Sequence, residues 1–289
     1  MKHFYLSFAV LTAIIAASCG KTQSVETAPV NVHVEDFVVT VNTFTDTKAA
    51  TDPASYDMVK AITLAFYEGD TQVYSATQLK SDPTSFTTFG EFSCDLPIGA
   101  YTLVVVARQV GTDDVFSLSS PTSAGYSSER PRETFCYSQY VTVTNTSPLD
   151  LSVTLNRIVS ALNVVSTDGR PAGVTKVRTT YSKGSKSFNP STGLALNDNG
   201  FTQVNNPSSA VDAPVNITSY VFLSSDEETM DITIEALNSS DVVLYSKTLH
   251  NVSFKRNRKT KAQGAIFSTS GSAGFQLETA WLEDNPVDL

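Results

Sequence analysis

Leu96-Pro97-Ile98-Gly99-Ala100-Tyr101-Thr102-Leu103-Val104-Val105-Val106-Ala107 is the stretch from which the fold of this chain can be read. Proline fixes φ at position 97 and glycine tolerates positive φ at position 99, so the pair predicts a tight turn. A strand follows it. Side chains alternate along a strand, so Tyr101, Leu103 and Val105 fall on one face and Thr102, Val104 and Val106 on the other. Apolar residues on both sides predict a central strand covered on both faces.

The same texture extends outward in both directions. Runs rich in Val, Thr, Ile, Phe and Tyr recur between Gly, Pro, Asn and Asp, and predict strands over 32–44, 61–67, 90–96, 101–108, 140–144 and 151–155. The second half continues with 161–166, 176–181, 217–223, 231–237, 242–249 and 264–268. In one of these Ile232, Ile234 and Ala236 alternate with Asp231, Thr233 and Glu235. A capped 3.6-residue pattern is absent; residues 75–80 read as a helical turn limited by Pro83. Many short strands separated by turns predict an all-β chain of sandwiches rather than a parallel α/β sheet. The Leu-Pro-x-Gly-x-Tyr-x-Leu turn and strand resembles those of transthyretin-like sandwiches in surface proteins, so the expected architecture is two tandem transthyretin-like β-sandwich domains. The boundary falls at Leu155-Asn156-Arg157, giving blocks 31–155 and 156–289 near the common domain size.

The N-terminus carries different information. Met1-Lys2-His3, an apolar run from Phe4 to Ala17 and then Ser18-Cys19-Gly20 describe a signal peptide over 1–18. Its apolar stretch is shorter than the ~20 residues that a membrane-spanning helix needs. Ala16-Ala17-Ser18-Cys19 resembles the lipobox of bacterial lipoproteins, with Ala16 where leucine is usual. Lipidation (palmitate among the chains) is therefore expected on Cys19, with residues 19–30 as a polar tether. Removing 1–18 takes Lys2 and no acid, so 20 basic residues become 19 against 29 acidic ones, net −10. That charge repels phosphates and argues against a nucleic-acid partner. A composition 41% hydrophobic and 10% aromatic supplies a packed core. In an exported chain Cys94 and Cys136 are candidates for a disulfide, with two free thiols as the alternative.

Three further segments, taken in order, resemble the fimbrillin superfamily, the lipoprotein precursors of type V pili. Val59-Lys60-Ala61-Ile62-Thr63-Leu64-Ala65-Phe66-Tyr67 is followed by Phe89-Gly90 and the Leu96–Val106 strand. Val153-Thr154-Leu155-Asn156-Arg157-Ile158-Val159-Ser160-Ala161-Leu162 is similar to the start of the family's second domain. Val252-Ser253-Phe254-Lys255-Arg256-Asn257-Arg258-Lys259-Thr260 precedes Gly264, and Trp281 falls where such proteins often carry a tryptophan. The resemblance implies a structural or anchoring subunit of outer-membrane, cell-surface fimbriae that supports adhesion. Its partners would be other fimbrial subunits, joined by strand addition, and the membrane through lipid on Cys19. In stalk-forming members a protease cuts after a basic residue in the loop behind the first strand, and a neighbour's segment fills the vacated groove. Here the first strand is 32–44 and the candidate cut lies between Lys48 and Ala49. Cleaved members favour arginine there, whereas the first arginine of this chain is Arg108, inside a strand. Anchor subunits keep lipid and first strand, so both roles stay open. The segment 279–289 makes a poor donor strand because of its acids and Pro286.

Little chemistry stands beside this. His33 and His250 lack companions at metal-ligand spacing, and no hydrolase or phosphate-loop motif is present, so neither an enzyme, a metal nor a cofactor is expected. Asp226-Glu227-Glu228 with Asp231 reads as a solvated acidic turn, calcium being the alternative. Lys255, Arg256, Arg258, Lys259 and Lys261 read as a charged strand that resists edge pairing. Phe44, Tyr126 and Tyr137 are aromatics expected to be buried; exposed, they would serve a monomeric surface lipoprotein that binds glycan or a host ligand, the competing reading.

Overall fold

The alternating runs become twenty strands among the residues that the computed structural model describes, which are 25–40, 48–111, 115–128, 130–268 and 276–279. The first half supplies β1 (Thr27–Thr40), β2 (Lys48–Thr51), β3 (Ala61–Glu68), β4 (Thr71–Leu79), β5 (Glu91–Pro97), β6 (Gly99–Arg108), β7 (Phe116–Ser120), β8 (Ser123–Tyr126), β9 (Thr134–Val143) and β10 (Leu149–Arg157). The second supplies β11 (Ser160–Ser166), β12 (Lys176–Tyr181), β13 (Ser187–Asn189), β14 (Leu194–Ala195), β15 (Phe201–Asn205), β16 (Asn216–Val221), β17 (Glu227–Leu237), β18 (Val243–Lys255), β19 (Lys259–Gly264) and β20 (Gln276–Thr279). The chain is all-β, as the sequence predicts.

In the first sandwich one sheet runs β2-β1-β10-β9-β6-β3-β4, with β5 also on β1. The sheet curls until β4 meets the start of β5. There Gln78 Nε2 donates to the Glu91 carbonyl at 2.5 Å and Gln78 Oε1 accepts the Gly90 amide at 2.8 Å. One side-chain amide thus closes a seam that no strand ladder closes. Inside lie Val30, Val32, Ile62, Leu64, Leu103, Val105 and Phe135. The second sandwich packs β16-β11-β19-β20 against β15-β12-β17-β18 around Leu162, Val164, Tyr181, Ile232, Ile234 and Phe254.

A fourth sheet, β14-β13-β8-β7, takes two strands from each half. Gly125 of β8 opposes Ser187 of β13, and a Cβ there would stand 2.8 Å from the Ser187 Cα, so only glycine allows this pairing. Beneath this sheet a third core unites Val104, Val106 and Tyr126 with Ile158, Phe188 and Phe222. The boundary read at Leu155–Arg157 is therefore a division of the chain across a shared sheet and core.

Strand β6 carries the predicted two-faced pattern: Tyr101, Leu103 and Val105 enter the first core, Val104 and Val106 the shared one. The corner before it needs a different explanation from the predicted one. Positive φ is not used at Gly99. Instead the Tyr101 hydroxyl donates to the Pro97 carbonyl at 2.8 Å, and a Cβ on Gly99 would lie 3.0 Å from that oxygen. Glycine is present for close approach. Residues 75–79 form part of β4 rather than a helical turn, with Lys80 in the turn that follows, because Tyr74, Ala76 and Gln78 face inward opposite β3. Residues 27–30, expected in a tether, belong instead to β1, which starts at Thr27 with Ala28 and Val30 fully buried. Pro29 fits inside this strand because β10 joins β1 only from Val30 onward, leaving one edge of Pro29 without a ladder partner.

Candidate functional site

The first strand is held on both edges. It pairs parallel with β10 from Val30 to Val38, and antiparallel with β5 (Thr27–His33) and β2 (Phe37–Thr40). Alternation buries Ala28, Val30, Val32 and Val34. A bulge between Val34 and Asp36 then shifts the phase, so that Phe37 enters the core while Glu35 stays in solvent. On the outer face Ser93 Oγ donates to Asn31 Oδ1 and Asn31 Nδ2 to Asp150 Oδ1, both at 2.8 Å, while His33 meets Glu91 at 2.5 Å. The result is a row of apolar pockets filled by alternate residues of one strand.

Phe37 leads from this groove to the joint between the halves. Its ring lies 4.9 Å from Phe135 and edge-on to Tyr56 at 6.0 Å. The Arg157 guanidinium sits 5.0 Å above Phe135. Arg157 Nη2 pairs with Glu133 at 2.7 Å and donates to the Tyr56 hydroxyl at 2.8 Å, and Nη1 donates to Asn257 Oδ1 at 3.1 Å. Arg157 and Glu133 are 2% exposed, so each charge depends on its partners for solvation. Burial, with the Glu133 charge adding, pushes the Tyr56 phenol far up and keeps it a neutral donor to Glu133. Arg157 and Asn257 lie in separate segments of the sequence, 100 residues apart, and nothing local in either shows their contact. The available signal is Glu133, an acid that follows Arg130 and Arg132 and directly precedes a strand.

Beside this joint opens a cleft of about 730 Å³, lined by Arg157 and Ile158 and by the β18–β19 turn, Lys255–Arg258. The two charged clusters of the sequence meet here: Asp226 pairs with Arg256 at 2.5 Å and Glu227 with Lys255 at 2.7 Å. The basic cluster is thus a turn paired with acids, continued by Lys259 and Lys261 of β19, which lies between β11 and β20; the expectation of an edge strand is corrected. The Asp226–Glu228 carboxylates are likewise engaged, Glu228 accepting the Ser224 amide at 3.1 Å.

The remaining sequence candidates are placed as follows. Cys19, Phe44 and Trp281 lie outside the described residues. Lys48 and Ala49 begin β2 and pair with Thr40 and Val39 of β1, so the candidate cut falls in a strand rather than a free loop. Arg108 is buried, with Nη1 donating to Thr63 Oγ1 at 3.2 Å. A Cys94–Cys136 bond is ruled out, and both thiols are free. β5 and β9 are separated by β1 and β10, a gap of about 14 Å at normal strand spacing. The two residues also pack into different cores. Burial raises the Cys94 thiol to about 11, with Asp95 adding, and the Cys136 thiol to about 12. Tyr126 is buried and Tyr137 half-buried against the first core. His250 Nδ1 contacts Asp231 at 2.9 Å; hydrogen bonds from the Asn251 amide and His250 lower the Asp231 carboxyl.

The family of unknown function DUF6562 matches residues 23–287. No curated protein matches the chain. Solved structures do. A candidate polysaccharide-binding protein from Bacteroides thetaiotaomicron aligns at 12% identity and TM-score 0.52, covering 87% of this chain and 95% of its own. A candidate adhesin from Bacteroides ovatus aligns at 10% identity and TM-score 0.50, covering 88% and 94%. The fimbrial anchor protein Mfa2 of Porphyromonas gingivalis aligns at 10% identity and TM-score 0.49, covering 89% and 98%. At such identities the likeness is one of fold. The adhesin-type double sandwich is the fold that resemblance to the fimbrillin superfamily implies.

Proposed function

This chain belongs to the family of unknown function DUF6562, and for it we propose the role of a structural or anchoring subunit of cell-surface fimbriae, assembled by strand addition and held at the outer membrane by lipid on Cys19. The observation that carries the reading is the seat of β1. A terminal strand fills a groove between β10 and β5 and inserts alternate side chains into successive pockets. Burying Val30, Val32, Val34 and Phe37 is worth on the order of 6–12 kcal/mol. A strand of a neighbouring subunit with the same alternation would recover most of that, together with the main-chain hydrogen bonds. A cut between Lys48 and Ala49 lies beyond the end of β1 and severs it from the rest of the body. Polymerisation would follow loss of β1; an anchor subunit would keep it. The protein acts as scaffold and adhesion component, without a catalytic step of its own.

The test is intact mass and gel mobility of the protein taken from its own cell surface, with and without protease inhibitor. Material starting at Ala49 in an SDS-resistant ladder establishes a stalk subunit. A single lipidated species that co-purifies with fimbriae establishes an anchor. A lipidated monomer with no fimbrial partner overturns the proposal in favour of a glycan- or host-binding surface lipoprotein.

A further inference from the structure

We propose a further, mechanical function: the first sandwich is a clamp that resists load entering through the N-terminal end of β1. This rests on the reading that the chain is held at Cys19, because that attachment places the load there. Tension then enters at Thr27 and leaves the first half at Arg157, the last residue of β10. β1 and β10 run parallel, from Val30 opposite Leu149 to Val38 opposite Asn156. Tension on the start of one strand and the end of the other therefore acts along the ladder in opposite senses, across its hydrogen bonds. All eight β1–β10 pairs share that load, and the seven antiparallel pairs with β5 must slide at the same time. The Ile98 amide adds a hydrogen bond to the Glu26 carbonyl at 3.0 Å, just ahead of β1. Pairs that must fail together resist far more than pairs that open in turn.

Side chains turn this ladder into a latch. Ala28, Val30, Val32 and Val34 are followed, past the bulge, by the larger Phe37, and all five are buried. Withdrawal toward the N-terminus would drag the Phe37 ring through sites shaped to valine. Protein interiors are packed at crystal-like density, so the ring passes only if the sandwich parts. From its other end the strand is weak. Val38 and Asn156 lie beside the exit at Arg157, so load applied behind Thr40 peels the ladder a pair at a time, with Phe37 among the first residues out. A cut between Lys48 and Ala49 frees that weak end. The uncut chain holds under load, and the cut chain can shed β1.

The test is single-molecule pulling on the whole mature chain without lipid. Thr167→Cys, at an exposed position just behind β11, supplies one thiol handle. Cys19 supplies the other, and the raised thiols of Cys94 and Cys136 do not compete at neutral pH. At one pulling speed, the first rupture from Cys19 should need at least about twofold the force needed from Thr45→Cys in a Cys19→Ser background, because forced rupture follows the unfolding barrier. Phe37→Val should lower the Cys19 force. Phe66→Val removes the same bulk from the same core but lies in β3, off the load path. It should lower the urea midpoint comparably and leave the force unchanged. Equal forces from the two handle positions, or equal weakening by the two substitutions, overturn the proposal. Neither result depends on acylation of Cys19, which intact mass decides separately.

Discussion

Strands β1 and β11 open the two halves with the same hydrogen-bond topology, yet they are held very differently. Each lies between one parallel and one antiparallel partner: β10 against β5 and β2 for the first, β19 against β16 for the second. β1 buries a single face and leaves Pro29, His33 and Glu35 in solvent. β11 buries one face throughout, with Leu162 and Val164 in the second core, and the start of the other, with Ala161 in the shared one, while Asn163 and Val165 are half-buried. It also follows β10 through only Ile158 and Val159, both buried, whereas seven residues separate β1 from β2. Ladder topology alone would nominate both strands for exchange. The second face decides between them, because a strand with one face in water can leave without opening a second core.

The strongest way to break this comparison is at the residue where the two regions meet. Replacing Arg157 by Ala leaves Glu133 buried without its cation and removes the tie to Asn257. The expected loss is about 3–5 kcal/mol, read as a lower urea midpoint. A loss under about 1 kcal/mol would mean that the joint is held by the shared core alone. Next in size, Leu162→Ala in β11 should cost about 3 kcal/mol and Val32→Ala in β1 about 2 kcal/mol. The two should also differ in kind: native-state hydrogen exchange should show Val32→Ala loosening β1 locally, and Leu162→Ala acting through global unfolding. Uniform exchange in both variants would erase the distinction drawn between the strands.

The two regions also differed in how far they could be read from sequence. The two-faced pattern of β6 and the single-faced pattern of β17 are legible because β6 pairs regularly on both edges and β17 keeps its alternation in an unbroken ladder with β12, despite the bulges opposite β18. β1 was read five residues late at its start. Pro29 looks like a break until one sees that β10 does not yet flank it, and the Glu35-Asp36 step breaks the alternation because a bulge lies there. The joint was not legible at all. Glu133, Arg157 and Asn257 are far apart in the chain, and no local pattern shows that a charged residue is buried until its partners are placed. The same holds for the cysteines, since their separation across three strand steps is a property of sheet order.

The bulge gives a smaller test. Deleting Glu35 turns the stretch into an unbroken alternation in which Phe37 still faces inward, so the variant should lose only about 1 kcal/mol in thermal or urea unfolding. A severe loss would show that the bulge itself is needed, for instance to aim the strand at β2. That would make β1 a shaped part of the body rather than a strand that another could replace.

The smallest effect on stability, and the most direct report on β1, comes from the thiols. Cys94 stands opposite Val30 of β1, and its thiol is raised to about 11 by burial and the neighbouring Asp95. At pH 8 about 0.1% of it is thiolate, against about a quarter of an ordinary cysteine, a difference of roughly two hundredfold in alkylation rate. Because the shift is upward, that rate should rise about tenfold per pH unit until pH nears 11. Cys136 faces the shared core instead and is raised to about 12, so it serves as the internal control. In a Cys19→Ser background carrying an engineered protease site after Lys48, cleavage should bring Cys94 toward the ordinary rate as β1 departs. Cys136 should stay unreactive. If both thiols respond together the cut has unfolded the sandwich, and if neither responds β1 remains seated after cleavage; in either case β1 is no more exchangeable than β11.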